Sequence, residues 1–195
     1  MSNEKHIGKT PLPSEGGGGR PLKDILYKAG LVEVVGSTDV EVSSIAFDSR
    51  KVEKGSLFIA VKGTQSDGHK FISQAISSGA IAIVCEDIPT PDSQLQTVTY
   101  IKVSDSEYAL GIIASNFYDN PSEKLKLIGI TGTNGKTTTA TLLHNLFVSL
   151  GFNSGLISTV VYKINDREIS ATHTTPDAIQ LNKLMKEMAD EFESA

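Results

Sequence analysis

The stretch Leu127-Ile-Gly-Ile-Thr-Gly-Thr-Asn-Gly-Lys-Thr-Thr-Thr139 constrains this chain more than any other. Leu125, Leu127, Ile128 and Ile130 predict a short buried strand. It runs into the turn Gly132-Thr-Asn-Gly135, and a helical pattern starts near Lys136. A strand, a glycine-rich turn and a helix start, in that order, form a cradle for a polyphosphate. Glycines let backbone N–H groups close round the oxygens, and the helix N-terminus favours negative charge. Lys136 would reach the outer phosphates and the Thr137 hydroxyl would bind Mg²⁺. A strict G-x-x-x-x-G-K-[ST] pattern asks for glycine at 130, where the chain has Ile130 between Gly129 and Gly132. A glycine-rich turn followed by a surface lysine is the plainer alternative. The downstream helix argues against it: Leu143, Leu146, Phe147 and Leu150 repeat at helical spacing, and Gly151 falls where a cap belongs.

The charge balance narrows the function further. A net charge of -5 with no basic cluster argues against nucleic acid as the main partner. No apolar run approaches the ~20 residues that span a bilayer. Met1 to Gly19 is polar and has no signal-peptide core, so the expected compartment is the cytoplasm, with no membrane partner. The single cysteine, Cys85, sits in the apolar run Ile81–Cys85, excludes an intramolecular disulfide and reads as strand packing.

Residues 1–20, with Pro11, Pro13 and the glycines 16–19, read as a tail or leader that cannot bury a core. Pro21 to Leu31 predicts a short helix, and Val32–Val35 and Val40–Ile45 predict strands. Leu57–Val61 is a strong buried strand, Gly63–Gly68 a loop, and His69–Ser78 a helix stopped by Gly79. Ile81–Cys85 and Val98–Val103 are further strands, and Ser104–Phe117 is a helix capped by Ser104 or Asp105. Strands alternating with helices predict an α/β fold with a largely parallel sheet. Asn120–Lys124 is short, polar and carries Pro121, which divides the chain into domains 21–121 and 122–195.

In the second domain Gly155–Val161 predicts another strand and Tyr162–Ile169 a hairpin turning at Asn165-Asp166. Thr175 suits the cap of a last helix with Pro176 in its first position; Leu181, Leu184, Met185, Met188 and Phe192 form its apolar stripe. Phosphate-loop domains add more strands, one with an acidic Mg²⁺ ligand, and Asp190, Glu191 and Glu193 sit at the tail of a helix rather than at a strand end. The domain therefore reads as truncated. His69 and His144 read as structural, since neither has a second histidine or cysteine spaced for a metal.

Several motifs together resemble one family. Thr131-Gly-Thr-Asn-Gly-Lys-Thr-Thr138 is similar to the ATP loop of the Mur ligases, which also lack the first glycine of the strict pattern. Asp48-Ser-Arg50, Gly55-Ser-Leu-Phe58, Gly63 and Asp67-Gly-His69 resemble their N-terminal, UDP-precursor-binding domain; Thr174-Thr-Pro176 resembles the diamino-acid-adding (MurE) type. The resemblance covers 20–190. It implies a small α/β UDP-precursor domain followed by the first part of a P-loop ATPase domain. It also implies an ATP- and Mg²⁺-dependent, monomeric carbon–nitrogen ligase that uses UDP-MurNAc-L-Ala-D-Glu and a diamino acid, whose identity stays open. In this chemistry ATP phosphorylates the D-glutamate side-branch carboxylate and the amine displaces phosphate through a tetrahedral intermediate.

The same resemblance assigns ATP binding to Gly132, Thr133, Asn134, Gly135, Lys136, Thr137 and Thr138, with Lys136 and Thr137 catalytic and Thr137 on the metal. It puts Phe47, Ser49, Thr64, Gln65 and Ser66 on the UDP side of the precursor and His173, Thr174 and Thr175 on its muramoyl-peptide side. The family's carbamylated lysine and third domain would lie beyond Ala195, so the fragment is expected to be inactive alone. Rival readings are the ligase that adds D-Ala-D-Ala, a folate-type ligase without the 21–121 domain, and a non-catalytic nucleotide-binding module.

Overall fold

The apolar runs between the turns form a sheet whose central strands are covered on both faces. The structure, a computed structural model, describes residues 19–63, 66–89, 98–170 and 176–194. Strand β1 (Arg20–Pro21) leads into helix α1 (Leu22–Ile25), followed by β2 (Leu31–Val35), β3 (Glu41–Val42), β4 (Ser44–Ala46) and β5 (Ser56–Ile59). Next come α2 (Ile72–Ser77), β6 (Ala82–Cys85), β7 (Thr99–Val103), α3 (Ser106–Phe117) and α4 (Pro121–Lys124). The remainder is α5 (Lys136–Ser149), β8 (Gly155–Ile157), β9 (Val161–Ile164), β10 (Arg167–Ser170) and α6 (Ala178–Glu193).

Five strands pair in the order β2-β7-β6-β5-β4. β4, β5, β6 and β7 run parallel, and β2 closes one edge antiparallel to β7. Side chains alternate across this sheet. Leu57, Ile59, Val84, Ile101 and Val103 face one way and pack with Leu22, Ile25, Ala109 and Ile113 of α1 and α3. Phe58, Ile83, Cys85 and Tyr100 face the other way, onto Ile72 and Ala75 of α2. Each fully buried Leu, Ile or Val contributes about 1.5–3 kcal/mol, and burial on both faces explains why these strands read as continuous apolar runs.

The α/β expectation with a mainly parallel sheet holds. Several element boundaries differ. The helix expected over Pro21–Leu31 is one turn long: Lys28 and Gly30 adopt positive φ (59° and 72°), and Leu31 already belongs to β2. Asn116 secures that turn by donating from Nδ2 to the carbonyls of Ile25 (2.9 Å) and Tyr27 (2.7 Å). The helix expected over His69–Ser78 starts as a 3₁₀ turn, Gly68–Phe71, before α2. α3 is capped by Asp105, which accepts from the Tyr108 N–H at 2.9 Å.

The chain forms two compact units, Ile130–Thr174 and Gly18–Gly129 together with Thr175–Ala195. In the larger unit α6 is capped by Asp177, not by Thr175; Asp177 accepts from the Gln180 N–H at 2.8 Å. Its stripe residues Leu184, Met185 and Met188 are buried, and the helix lies against α3 and α4.

In the smaller unit β8, β9 and β10 form an antiparallel three-stranded sheet. The expected hairpin turns at Asn165, which takes φ 50°. The strand expected over Leu125–Ile130, a run whose residues up to Gly129 belong to the larger unit, does not form, and Leu127 and Ile128 are 61% and 62% exposed. A strand needs a neighbour for its N–H and C=O groups, and among the described residues nothing pairs with this run. The strand expected over Gly155–Val161 shortens to Gly155–Ile157 and pairs antiparallel with β9. Along α5 the predicted apolar stripe is largely open: Leu146 and Leu150 are exposed, and His144 is the buried side chain.

Candidate functional site

The glycine-rich turn before α5 forms although the preceding strand does not. Gly135 sits at the N-cap of α5 with φ 79° and ψ -4°, a left-handed conformation that glycine adopts without steric cost. A Cβ there would meet nothing within 4 Å, so the inside of the turn is open. α3 and α6 are capped by aspartates, whereas α5 has no side-chain cap. The N–H groups of Lys136, Thr137 and Thr138 precede the first intrahelical bond, Thr139 N–H to Gly135 O at 2.9 Å. Unsatisfied donors behind an open left-handed glycine fit an anionic oxygen cluster. Lys136 folds back and donates from Nζ to the Gly132 carbonyl at 2.5 Å. Thr137 is half-buried in the first turn, and the other residues from Gly132 to Thr138 are exposed. Among the described residues no group of three or more His, Cys, Asp or Glu side chains could hold a metal by itself.

The far end of α5 explains why this helix is stable with so few buried residues. The Gly151 N–H donates to Val148 O and the Phe152 N–H to Phe147 O, both at 3.0 Å, and the Phe147 and Phe152 rings meet edge to face at 6.2 Å. This is the glycine cap anticipated at Gly151, with its hydrophobic clasp. Halfway along, the buried His144 ring bonds the Asn165 carbonyl through Nε2 (3.1 Å) and the Ser154 hydroxyl through Nδ1 (3.0 Å). A carbonyl only accepts, so Nε2 carries the proton and Nδ1 accepts from Ser154. Burial holds the imidazole pKa below its ordinary value.

A second cluster lies in the larger unit, where the parallel strands end. In open α/β sheets ligands collect at the carboxyl ends of strands. Phe47, Asp48 and Ser49 follow β4, Ser66 to His69 lie on the loop after β5, Glu86 follows β6, and Ser106 opens α3 after β7. Phe47 is half-buried against the core. Ser49 is buried and donates to Gln74 Oε1 at 3.1 Å. Asp48 accepts from the Arg50 guanidinium and backbone, which pulls its carboxyl pKa down to about 2. Gly68 is packed so closely that a Cβ would lie 2.8 Å from the Val61 backbone. Of the sequence-predicted precursor residues, Phe47, Ser49 and Ser66 share this edge. Thr64, Gln65, His173, Thr174 and Thr175 lie outside the described residues.

Residues 41–118 match the sequence family described as Mur ligase family, catalytic domain, and residues 130–195 match the Mur ligase middle domain. The chain belongs to the Mur ligase family. It is 60% identical over 167 residues to the UDP-N-acetylmuramoyl-L-alanyl-D-glutamate--2,6-diaminopimelate ligase of Cytophaga hutchinsonii, covering 86% of this chain and 34% of that one. The like-named ligase of Bacteroides fragilis is 52% identical over 170 residues, covering 87% and 35%. The chain thus spans about a third of the length of the curated relatives it matches. A solved structure of a UDP-N-acetylmuramoyl-L-alanyl-D-glutamate--2,6-diaminopimelate ligase superposes with TM-score 0.68 at 23% identity, over 89% of this chain and 34% of that one, a likeness of fold.

Sequence reasoning missed two features of this Mur ligase edge. One is Gln74, the partner of Ser49, which reads as an ordinary exposed helix residue. The other is a hydrogen-bonded chain joining Asp67, His69, Glu86 and Ser106. Asp67 and His69 carried a signal in their motif. Glu86 and Ser106 had none, because only the sheet brings them to the loop.

Proposed function

We propose that this chain supplies the precursor site and ATP loop of a cytoplasmic ligase that joins a diamino acid, 2,6-diaminopimelate, to UDP-MurNAc-L-Ala-D-Glu. The observation carrying this reading is the 60% identity that runs through both units to a ligase of that name. The open, uncapped start of α5 supports an ATP role.

ATP transfers its γ-phosphoryl group to the D-glutamate carboxylate, giving an acyl phosphate and ADP. The amine nitrogen attacks the acyl carbon, the tetrahedral intermediate expels inorganic phosphate, and the nitrogen loses a proton. In this scheme the N–H groups of Gly135 to Thr138 and the Lys136 ammonium hold the β- and γ-phosphates, where negative charge moves during transfer. Mg²⁺ would neutralise phosphate charge, and the Thr137 hydroxyl would hold it. Phe47, Ser49 and Ser66 orient the UDP end at the sheet edge, with Thr64 and Gln65 between them in sequence. The family resemblance would assign His173, Thr174 and Thr175 to the peptide end.

The test joins this chain to the remaining two thirds of the Cytophaga relative. The folded chimera should consume ATP and precursor only when diaminopimelate is present, and Lys136→Ala within this chain should abolish turnover. A folded chimera that forms product with D-Ala-D-Ala instead, or none at all, would sink the assignment.

A further inference from the structure

Ser49 and Gln74 join two elements that the core holds in fixed register. Ser49 opens the 3₁₀ turn Ser49–Lys51, which follows β4. Asp48 braces this turn: its carboxylate accepts from the Arg50 N–H at 3.0 Å and from the Arg50 guanidinium. The Asp48 carbonyl accepts from the Lys51 N–H at 2.9 Å. Ala46 and Val52, on either side of the turn, pack in one apolar cluster with Ile72 and Ala75 of α2. The braced backbone therefore sets the direction of the Ser49 side chain, and α2 is seated beside it. Gln74 is exposed on α2, yet its carbonyl end reaches a buried hydroxyl. The Ser49 Oγ–H donates to Gln74 Oε1 at 3.1 Å, and Ser49 itself is only 8% exposed.

A serine hydroxyl has one proton to give and two lone pairs to receive with. In this structure the Gln74 carbonyl takes the proton. What Ser49 then offers a ligand is a lone pair, and a lone pair needs a donor opposite it. A phosphate or carbonyl oxygen in that place would meet lone pair with lone pair, unless the proton first left Gln74. At the UDP end of the precursor the donors are the uracil imide N–H and the ribose hydroxyls.

We propose that Gln74 is a positioning residue for precursor binding, fixing the Ser49 hydroxyl as an acceptor so that it selects a donor group on the uridine. The proposal rests on the reading of this sheet edge as the precursor site. The polarity follows from what the partner of Ser49 can do, not from its size. A glutamate carboxylate at 74 also accepts and would hold the proton the same way, whereas a methionine of similar length offers only a weak thioether acceptor. With methionine there, the hydroxyl turns to donate or to accept as the ligand demands.

The experiment measures calorimetric affinities of the chain for UDP, CDP, 2′-deoxy-UDP and 3′-deoxy-UDP, and reads ratios to UDP. In CDP the ring N3 accepts where the uracil N3–H donates, and each deoxy compound lacks one ribose donor. Wild type should bind at least one analogue about tenfold or more weakly than UDP, and which one identifies the donor that Ser49 meets. Gln74→Glu should keep that ratio, since any effect of its charge on the diphosphate is common to all four ligands. In Gln74→Met, Gln74→Ala and Ser49→Ala the ratio should collapse to within about threefold. A purely structural staple between α2 and the turn would lower all affinities together and leave the ratio unchanged. UDP binding with no discrimination in wild type overturns the proposal, as does a ratio that survives in Gln74→Met and Gln74→Ala or is lost in Gln74→Glu; the sheet edge then stands as the UDP site without this role for Gln74. A chain that unfolds cooperatively yet binds neither UDP nor UDP-MurNAc-L-Ala-D-Glu overturns the reading of the edge itself, and the proposal with it.

Discussion

Lys136 and Gly132 are tied across the glycine-rich turn: the lysine ammonium donates to the glycine carbonyl oxygen at 2.5 Å. The bond exchanges a hydrated cation for one carbonyl on an exposed turn, so it adds little to stability. Its effect is to keep the ammonium over the turn that the N–H groups of α5 border. A phosphate oxygen arriving there is a stronger partner than the carbonyl, because both partners are then charged.

Replacing Lys136 by alanine should therefore weaken Mg-ATP binding by roughly tenfold to a hundredfold, the ~1.5–3 kcal/mol of a charge-assisted hydrogen bond. The melting temperature should stay within a degree or two, since the side chain is exposed. Calorimetric titration and a thermal melt on the same preparation check both halves.

The smaller unit should lose stability in mild acid because of His144. Its folded pKa is lowered by burial, so the unfolded chain binds the proton more readily. The contribution is fully present above the ordinary imidazole value near 6.5 and is lost as pH falls below it. Urea unfolding followed through amides of β8 and β9 should show the midpoint dropping between about pH 7 and 5. His144→Gln should flatten that slope while costing stability at neutral pH.

Cys85 should be inert. Burial pushes its thiol pKa up to about 11, with Asp87 adding to the shift. A thiolate is the reactive form, and almost none exists at neutral pH. A maleimide reagent should label the native chain far more slowly than the urea-unfolded chain; equal rates would contradict the packing at β6.

The parallel sheet was legible because its strands carry their own evidence: Leu57–Ile59 and Ala82–Cys85 are apolar at every position, and glycines or polar turns bound them. The glycine turn at the start of α5 was legible for the same local reason, since Gly135 and Lys136 need no partner to take their conformation. Leu125–Ile130 was not. Its residues favour a strand, but a strand is a property of two segments, and sequence shows only one. The stripe on α5 failed similarly: spacing marks Leu146 and Leu150 as a face without saying what lies against it, and β8 packs near His144 instead. At the sheet edge Ser49 could be named from its motif. Its dependence on Gln74, 25 positions away, appears only when α2 folds back over the strand ends.

Calorimetric titration of the chain with UDP-MurNAc-L-Ala-D-Glu tests most directly whether the strand ends of the five-stranded sheet form the precursor site. Saturable one-to-one binding is expected, reduced about tenfold in Ser49→Ala, which removes one buried hydroxyl worth ~1 kcal/mol in direct contacts and the Gln74 link with it. UDP should compete, and Lys136→Ala should bind the precursor as wild type does. A chain that unfolds cooperatively yet takes up no precursor, or binds it unchanged in Ser49→Ala, would contradict the placement of the site at this edge.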